Sequence, residues 1–195
     1  MSPRERLKEL IEKECVLHGD FVLASGQRSK VYFDCKRATL HPEGVHLIAT
    51  LVLETLDGMA AKDGGEFDAI GGPTIGADPI VGHVAALSFM RATGQLAGAA
   101  ASHPRPLRAF LVRKESKEHG TRRVIENPPP HGSRVAIFED VVTTGGSTLE
   151  AIRKATETGL EVAAVIAVVD REQGGPEALA RYRYHPIFKK SDFGL

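Results

Sequence analysis

Glu139 and Asp140 stand side by side in the stretch RVAIFEDVVTTGGSTLE (residues 134–150), and Thr143-Thr144-Gly145-Gly146-Ser147 follow after two valines, Val141 and Val142. Adjacent carboxylates can accept hydrogen bonds from sugar hydroxyls or help to hold a divalent cation. A glycine turn that opens a helix offers outward-pointing backbone N–H groups, which hold a phosphate. Together they suit a phosphorylated sugar. A second cluster, Arg113, Lys114, Lys117 and His119, brings donors together on one short segment, where they can meet negative charge building on a leaving group. Arg171, beside Asp170, carries the planar fork that grips a carboxylate.

Each group also has a plainer reading. Glu139 and Asp140 could be solvated acids at an ordinary turn, the run RKESKEHG a charged surface loop, and Arg171 an arginine paired with Asp170 or Glu172. Two familiar phosphate motifs are missing. No Lys follows Gly145-Gly146 as a P-loop requires, and the absence of G-x-G-x-x-G argues against a dinucleotide site.

The elements that position these residues decide between the readings. Val135-Ala136-Ile137-Phe138 predicts a short buried strand ending at the two acids. Ser147 and Glu150 have the spacing of a capping box, predicting a helix start there. Residues 4–16 carry Leu7, Leu10, Ile11 and Glu14 at helical spacing. Phe21 to Leu23 and Val31 to Phe33 predict two short strands about a Ser-Gly turn, a small N-terminal hood. A second helix is expected over Pro42 to Leu56 and a third over Pro79 to Arg91. Strands are expected at Phe67 to Ile70, running into the loop 71–78, and at Leu107 to Val112. Residues 95–106 read as an irregular connection or edge strand, and 113–130 as a long loop. Gly159 ends the helix after the glycine turn, Val162 to Val169 predicts a strand buried on both faces, and Pro176 to Tyr182 a short helix before a tail of weak strand character. Such alternation predicts an α/β fold with a mostly parallel core sheet flanked by helices. Ligands bind beyond the carboxyl ends of such strands, so segments 71–78, 113–119, 139–147 and 170–171 should share one rim.

The length of 195 residues predicts a single domain, with helix and hood over about 1–40 and the core over about 41–195, including a lid at 113–130. Lys plus Arg equals Asp plus Glu, 25 against 25, so no bulk charge points to nucleic acid or membrane. The N-terminal MSPRERLKELIEKEC lacks the apolar centre of a signal peptide, and no apolar run is expected to reach the length of a membrane span. Cys15 and Cys35 suggest two reduced thiols in a cytoplasmic protein. His18, His41, His46, His83, His103, His131 and His185 have no metal-ligand spacing.

VAIFEDVVTTGGS closely resembles the thirteen-residue phosphoribosyl pyrophosphate (PRPP) signature of type I phosphoribosyltransferases. Within that superfamily, Arg113-Lys114-Glu115-Ser116-Lys117-Glu118-His119-Gly120 resembles the R-K-x-x-K-x-H-G of the orotate phosphoribosyltransferases. Phe21-Val22-Leu23-Ala24-Ser25-Gly26, with Ser29 and Tyr32, resembles that family's F-x-L-x-S-G-x-x-S-x-x-Y, and Asp170-Arg171 its D-R. The matches run in the family's order over residues 18 to 171.

The resemblance implies the type I phosphoribosyltransferase fold and Mg²⁺-dependent transfer of a phosphoribosyl group from PRPP to orotate, a step of pyrimidine (UMP) synthesis. It implies that residues 139–147 hold PRPP, that Arg113, Lys114, Lys117 and His119 act on its pyrophosphate, and that Thr143, Arg171 and backbone groups around Tyr32 and Phe33 bind orotate. Mg²⁺ would be held mainly by substrate, near Asp140. The family pattern also implies a homodimer, with Arg113 and Lys117 serving the neighbouring site while Lys114 and His119 serve their own. The chain departs from some members at Ala24 and at Ile75-Gly76, where they carry Lys and Tyr-Lys, and at Thr121-Arg122-Arg123, where glycines are usual. Two rival readings are a phosphoribosyltransferase for a purine or other base, which should lack the basic lid and hood motif, and a non-catalytic PRPP-sensing regulator, which should lose the lid cations.

Overall fold

The structure, a computed structural model, describes residues 1–22, 26, 28–63, 65–96, 105–114 and 124–195. Helix α1 (Pro3–Glu14) starts where Ser2 Oγ accepts the Glu5 N–H and the Glu5 carboxylate accepts the Ser2 N–H, a reciprocal cap. Strands β1 (Val16–Val22) and β2 (Arg28–Phe33) pair antiparallel as the hood. A short helix α2 (Lys36–Thr39) leads into α3 (Pro42–Asp63), which runs beyond the expected end at Leu56.

Then β3 (Ala69–Pro73), α4 (Asp78–Ala92), β4 (Arg108–Val112) and β5 (Ile125–Glu126) are followed by β6 (Arg134–Val142), α5 (Gly146–Glu157), β7 (Glu161–Asp170), α6 (Gly175–Ala178) and β8 (Arg183–Lys189). The main sheet has the order β5-β4-β3-β6-β7-β8. Its ladders are parallel except for β5, which pairs antiparallel with β4.

Alternate residues of β6 face opposite layers, as the two-residue period of a strand requires. Ala136 and Phe138 join the core made with α1, α3 and α4, including Leu7, Ile11, Ile48, Leu53 and Val84. Val135 and Ile137 join the opposite core, with Ala151, Ile152 and Ala155 of α5.

Several expectations change. Strand β6 does not end at Glu139 but carries both acids, because β7 continues apolar to Val169 and supplies ladder partners as far as Val142↔Asp170. Gly71 to Pro73 belong to β3 rather than to a loop, and the C-terminal tail contains a full parallel strand, β8. Helix α6 is a single turn, shorter than Pro176 to Tyr182. The Ser147–Glu150 capping box does not form. Helix α5 is capped by Gly145 at φ 81°, a left-handed backbone conformation that favours glycine, with no side-chain cap. Glu150 instead bonds Arg153.

An apolar run does reach membrane-span length. Pro42–Lys62 of α3 qualifies by length and composition, with a mean hydropathy of 1.3. Its Ile48, Ala49, Val52, Leu53 and Leu56 are buried in the protein's own core, the behaviour of an ordinary core helix. The expected connection at 95–106 and the lid centre at 115–123, which includes Lys117 and His119, lie largely or wholly outside the described residues, as does Ala24.

Candidate functional site

The carboxyl ends of β3, β4, β6 and β7 lie along one edge of the sheet, since the four strands are parallel neighbours. The described parts of the four expected segments leave the sheet at that rim.

Glu139 is buried, with 6% of its surface exposed. One of its oxygens, Oε2, accepts from Ser147 Oγ at 3.0 Å and from Thr148 Oγ1 at 3.1 Å. Burial, reinforced by the neighbouring Asp140 charge, pushes its pKa up to about 8 against the pull of those two hydroxyls. The carboxylate therefore braces the glycine turn from behind.

Asp140 is the more exposed of the pair, and its Oδ1 accepts the Val141 N–H at 2.9 Å. Burial raises its pKa and the Lys36 ammonium opposes that rise. Lys36 lies 3.2 Å from Asp34 Oδ1. Asp140 also fills the space over Gly76: a Cβ placed there would lie 2.5 Å from the carboxylate. Gly76 thus makes room for an acid. The neighbouring Thr74–Ile75 peptide is cis.

The turn 143–147 opens α5. Thr144, Gly146 and Ser147 are exposed, while Gly145 is buried against Ala178 and Leu179. The first amides of a helix have no intrahelical acceptor, so this exposed end presents donors to an anion.

Arg171 is fixed from both sides. Its N–H donates to Val142 O at 2.9 Å, and the next residue, Glu172 (φ 56°), donates its N–H to the buried Asp170 at 2.7 Å. The Glu172 carboxylate in turn accepts from Ser191 N–H and Oγ. The guanidinium reaches the hood, where Nη2 donates to Val31 O at 3.3 Å and meets Ser29 Oγ at 3.5 Å. Its Nε is buried without a hydrogen-bond partner among the described residues. Burial lowers the Arg171 pKa, but a guanidinium stays charged across the working pH range. Tyr32 is half-buried on the same strand, whereas the Phe33 ring is turned into the core beside Phe193.

Arg113 leaves β4 at the rim, and its Nη1 donates to Glu126 at 3.1 Å. Lys114 is exposed. The carbonyls of both accept from the buried Lys154, at 2.9 Å and 2.7 Å. Sequence reasoning missed Lys154, Thr148, Lys36 and Ser29 as parts of this rim. A lysine inside an amphipathic helix carries no local mark of burial, and Thr148 lies just beyond the signature. For Ser29, the hood motif itself was a signal.

No protein-family model matches the chain. The orotate phosphoribosyltransferase of Rhodopirellula baltica is 41% identical over 188 residues, covering 95% of this chain and 91% of that one. Among solved structures, the Mycobacterium tuberculosis orotate phosphoribosyltransferase in complex with Fe(III) dicitrate superposes with a TM-score of 0.77 at 36% identity, covering 100% of both chains. The same enzyme in complex with PRPP gives a TM-score of 0.73 at 33% identity, again over 100% of both. The parallel sheet, the hood, and the acid pair before a glycine turn make the fold that of a type I phosphoribosyltransferase. With relatives this similar over nearly its full length, the chain belongs to the orotate phosphoribosyltransferase family.

Proposed function

We propose that the chain transfers the 5-phosphoribosyl group of PRPP to orotate, giving orotidine 5′-monophosphate and pyrophosphate, as a step of pyrimidine synthesis. The observation that carries this is Arg171. A cation with an unpartnered Nε, buried between the sheet rim and the hood, is poised for a planar anion such as the orotate carboxylate.

In this reading the amides of 143–147 take the 5′-phosphate, and Glu139 and Asp140 take the ribose hydroxyls. Thr143, Arg171 and the backbone near Tyr32 and Phe33 take the base. Arg113, Lys114, Lys117 and His119 face the departing pyrophosphate and, as a lid, exclude water that would attack the sugar carbon. Orotate is already anionic, so positioning and charge stabilisation carry the chemistry. The chain is read as one domain: α1 and Phe33 of the hood share a core cluster with α3 and α4.

Mg²⁺ suits the oxygen donors of Asp140 and of the substrate. Such an ion keeps substrate oxygens and waters among its ligands. When bound it would neutralise pyrophosphate charge. A homodimer with shared lids and a cytoplasmic setting complete the proposal, the latter suited by the free, buried Cys15 and Cys35.

The test is a steady-state assay with PRPP and Mg²⁺ in which orotate, uracil and purine bases are offered in turn, then repeated with EDTA. Orotate alone should turn over, and chelation should abolish it. Turnover of another base in its place would sink the substrate assignment.

A further inference from the structure

Lys154 sits two turns into α5 with its side chain only 9% exposed. A buried ammonium is destabilising unless its protons are paired. Here Nζ meets Arg113 O at 2.9 Å, Lys114 O at 2.7 Å and Glu150 Oε1 at 3.3 Å, three acceptors for three protons.

The two carbonyls belong to the residues that follow the end of β4. The Arg113 N–H still bonds across to Val124 O, continuing the ladder, but its carbonyl is taken by the lysine. Both bonds are part-buried, and at this point a side chain from α5 supplies the backbone acceptors with partners. Its own helix begins at the glycine turn, about 12 Å away at 1.5 Å per residue, so a single rigid rod joins the turn to the segment's departure point.

We propose that Lys154 is a positioning residue: by gripping the carbonyls of Arg113 and Lys114 from the helix that opens at the glycine turn, it fixes the backbone that carries these two cations and so aims them at the pyrophosphate. This rests on the reading of 113–119 as the pyrophosphate lid. A methionine could fill the same space, but it offers the carbonyls no proton and leaves them unpaired. The ammonium thus serves direction more than packing.

The test compares wild type with Lys154→Met and Lys154→Arg. Affinity is measured for orotidine 5′-monophosphate, which has the phosphate, ribose and base but no pyrophosphate, and for PRPP. In Lys154→Met the dissociation constant for the monophosphate should stay within about twofold, that for PRPP should rise about tenfold, and kcat should fall about tenfold or more. Lys154→Arg, which restores charged donors, should recover most of kcat. A general loosening of α5 would weaken both ligands together, and that result overturns the proposal. So does Lys154→Met with unchanged PRPP affinity and kcat. Should the methionine variant fail to fold, Lys154→Gln, whose shorter neutral amide can donate only weakly to the carbonyls, should raise the PRPP dissociation constant by less than about tenfold with the monophosphate constant unchanged, and equal weakening of both ligands, or of neither, overturns the proposal. Wild-type turnover of orotate is scored separately. Its absence removes the underlying reading, whereas an active wild type with an unaffected Lys154→Met removes this inference alone.

Discussion

Ser147 Oγ lies 3.0 Å from Oε2 of Glu139, so the residue expected to cap helix α5 instead ties the helix to the strand before it. With Thr148 on the same oxygen, the bond makes one buried acid the brace between β6 and the glycine turn. Four predictions follow the elements that meet at this rim.

Glu139 has its pKa raised from 4.5 to about 8, chiefly by burial, so between those values the folded chain holds a proton that the unfolded chain releases. That stabilising proton is fully present below about pH 4.5 and is lost as pH climbs through about 8. The wild-type Tm should therefore fall from pH 5 to 8.5 more than that of Glu139→Gln, by about 4 °C or more at ~2–4 °C per kcal/mol for a chain of this size. Parallel pH profiles would remove the buried-acid account.

Gly76→Ala puts a Cβ within 2.5 Å of the Asp140 carboxylate and must displace it. KM for PRPP should rise about tenfold, equivalent to about 1.4 kcal/mol, while KM for orotate changes little. Equal effects on both substrates would mean that Asp140 does not address PRPP selectively.

Arg171→Lys keeps a positive charge but loses the planar fork, and the lysine cannot reproduce both the hood contacts and a bidentate grip. We expect KM for orotate to rise by about tenfold to a hundredfold, roughly 1.4–3 kcal/mol, with PRPP binding in the absence of orotate nearly unchanged. A normal KM for orotate in this variant would place the base elsewhere.

Lys117→Ala should lower kcat by about a hundredfold or more while leaving Tm within about 2 °C, because a lid cation acts on charge that develops during bond breaking. Mixing this protein with a Gly145→Val variant tests the shared lid. If each site takes Lys117 from its neighbour, hybrids regain activity through a site with an intact turn and a borrowed lysine. Hybrids as inactive as their parents would show that each lid serves its own subunit.

Much of the fold was legible because its signals are local. The long apolar run of β7, the Pro-led α4 and the glycine after α5 mark elements whatever lies around them. The misjudged boundaries share a different cause. β6 runs on through Glu139 because β7 continues beside it, and β8 exists because β7 has a free edge to pair with. Neither partner is visible from within the segment. The capping box failed for a related reason: the Ser147 hydroxyl bonds the buried Glu139, a partner supplied by the preceding strand, and the helix opens at Gly145 instead.

The amino-acid sequence by itself determined the available chemistry: two acids before a glycine turn, a basic segment, one arginine after an apolar strand, and an order of motifs shared with one enzyme family. Only the tertiary structure decided which acid is buried, that Asp140 occupies the space above Gly76, and that Lys154 holds the base of the basic segment. It also brought Arg171 to Val31, 140 positions away along the chain. Residue types and spacing are properties of the chain, whereas desolvation and hydrogen-bond partnership depend on what packing brings within a few ångströms.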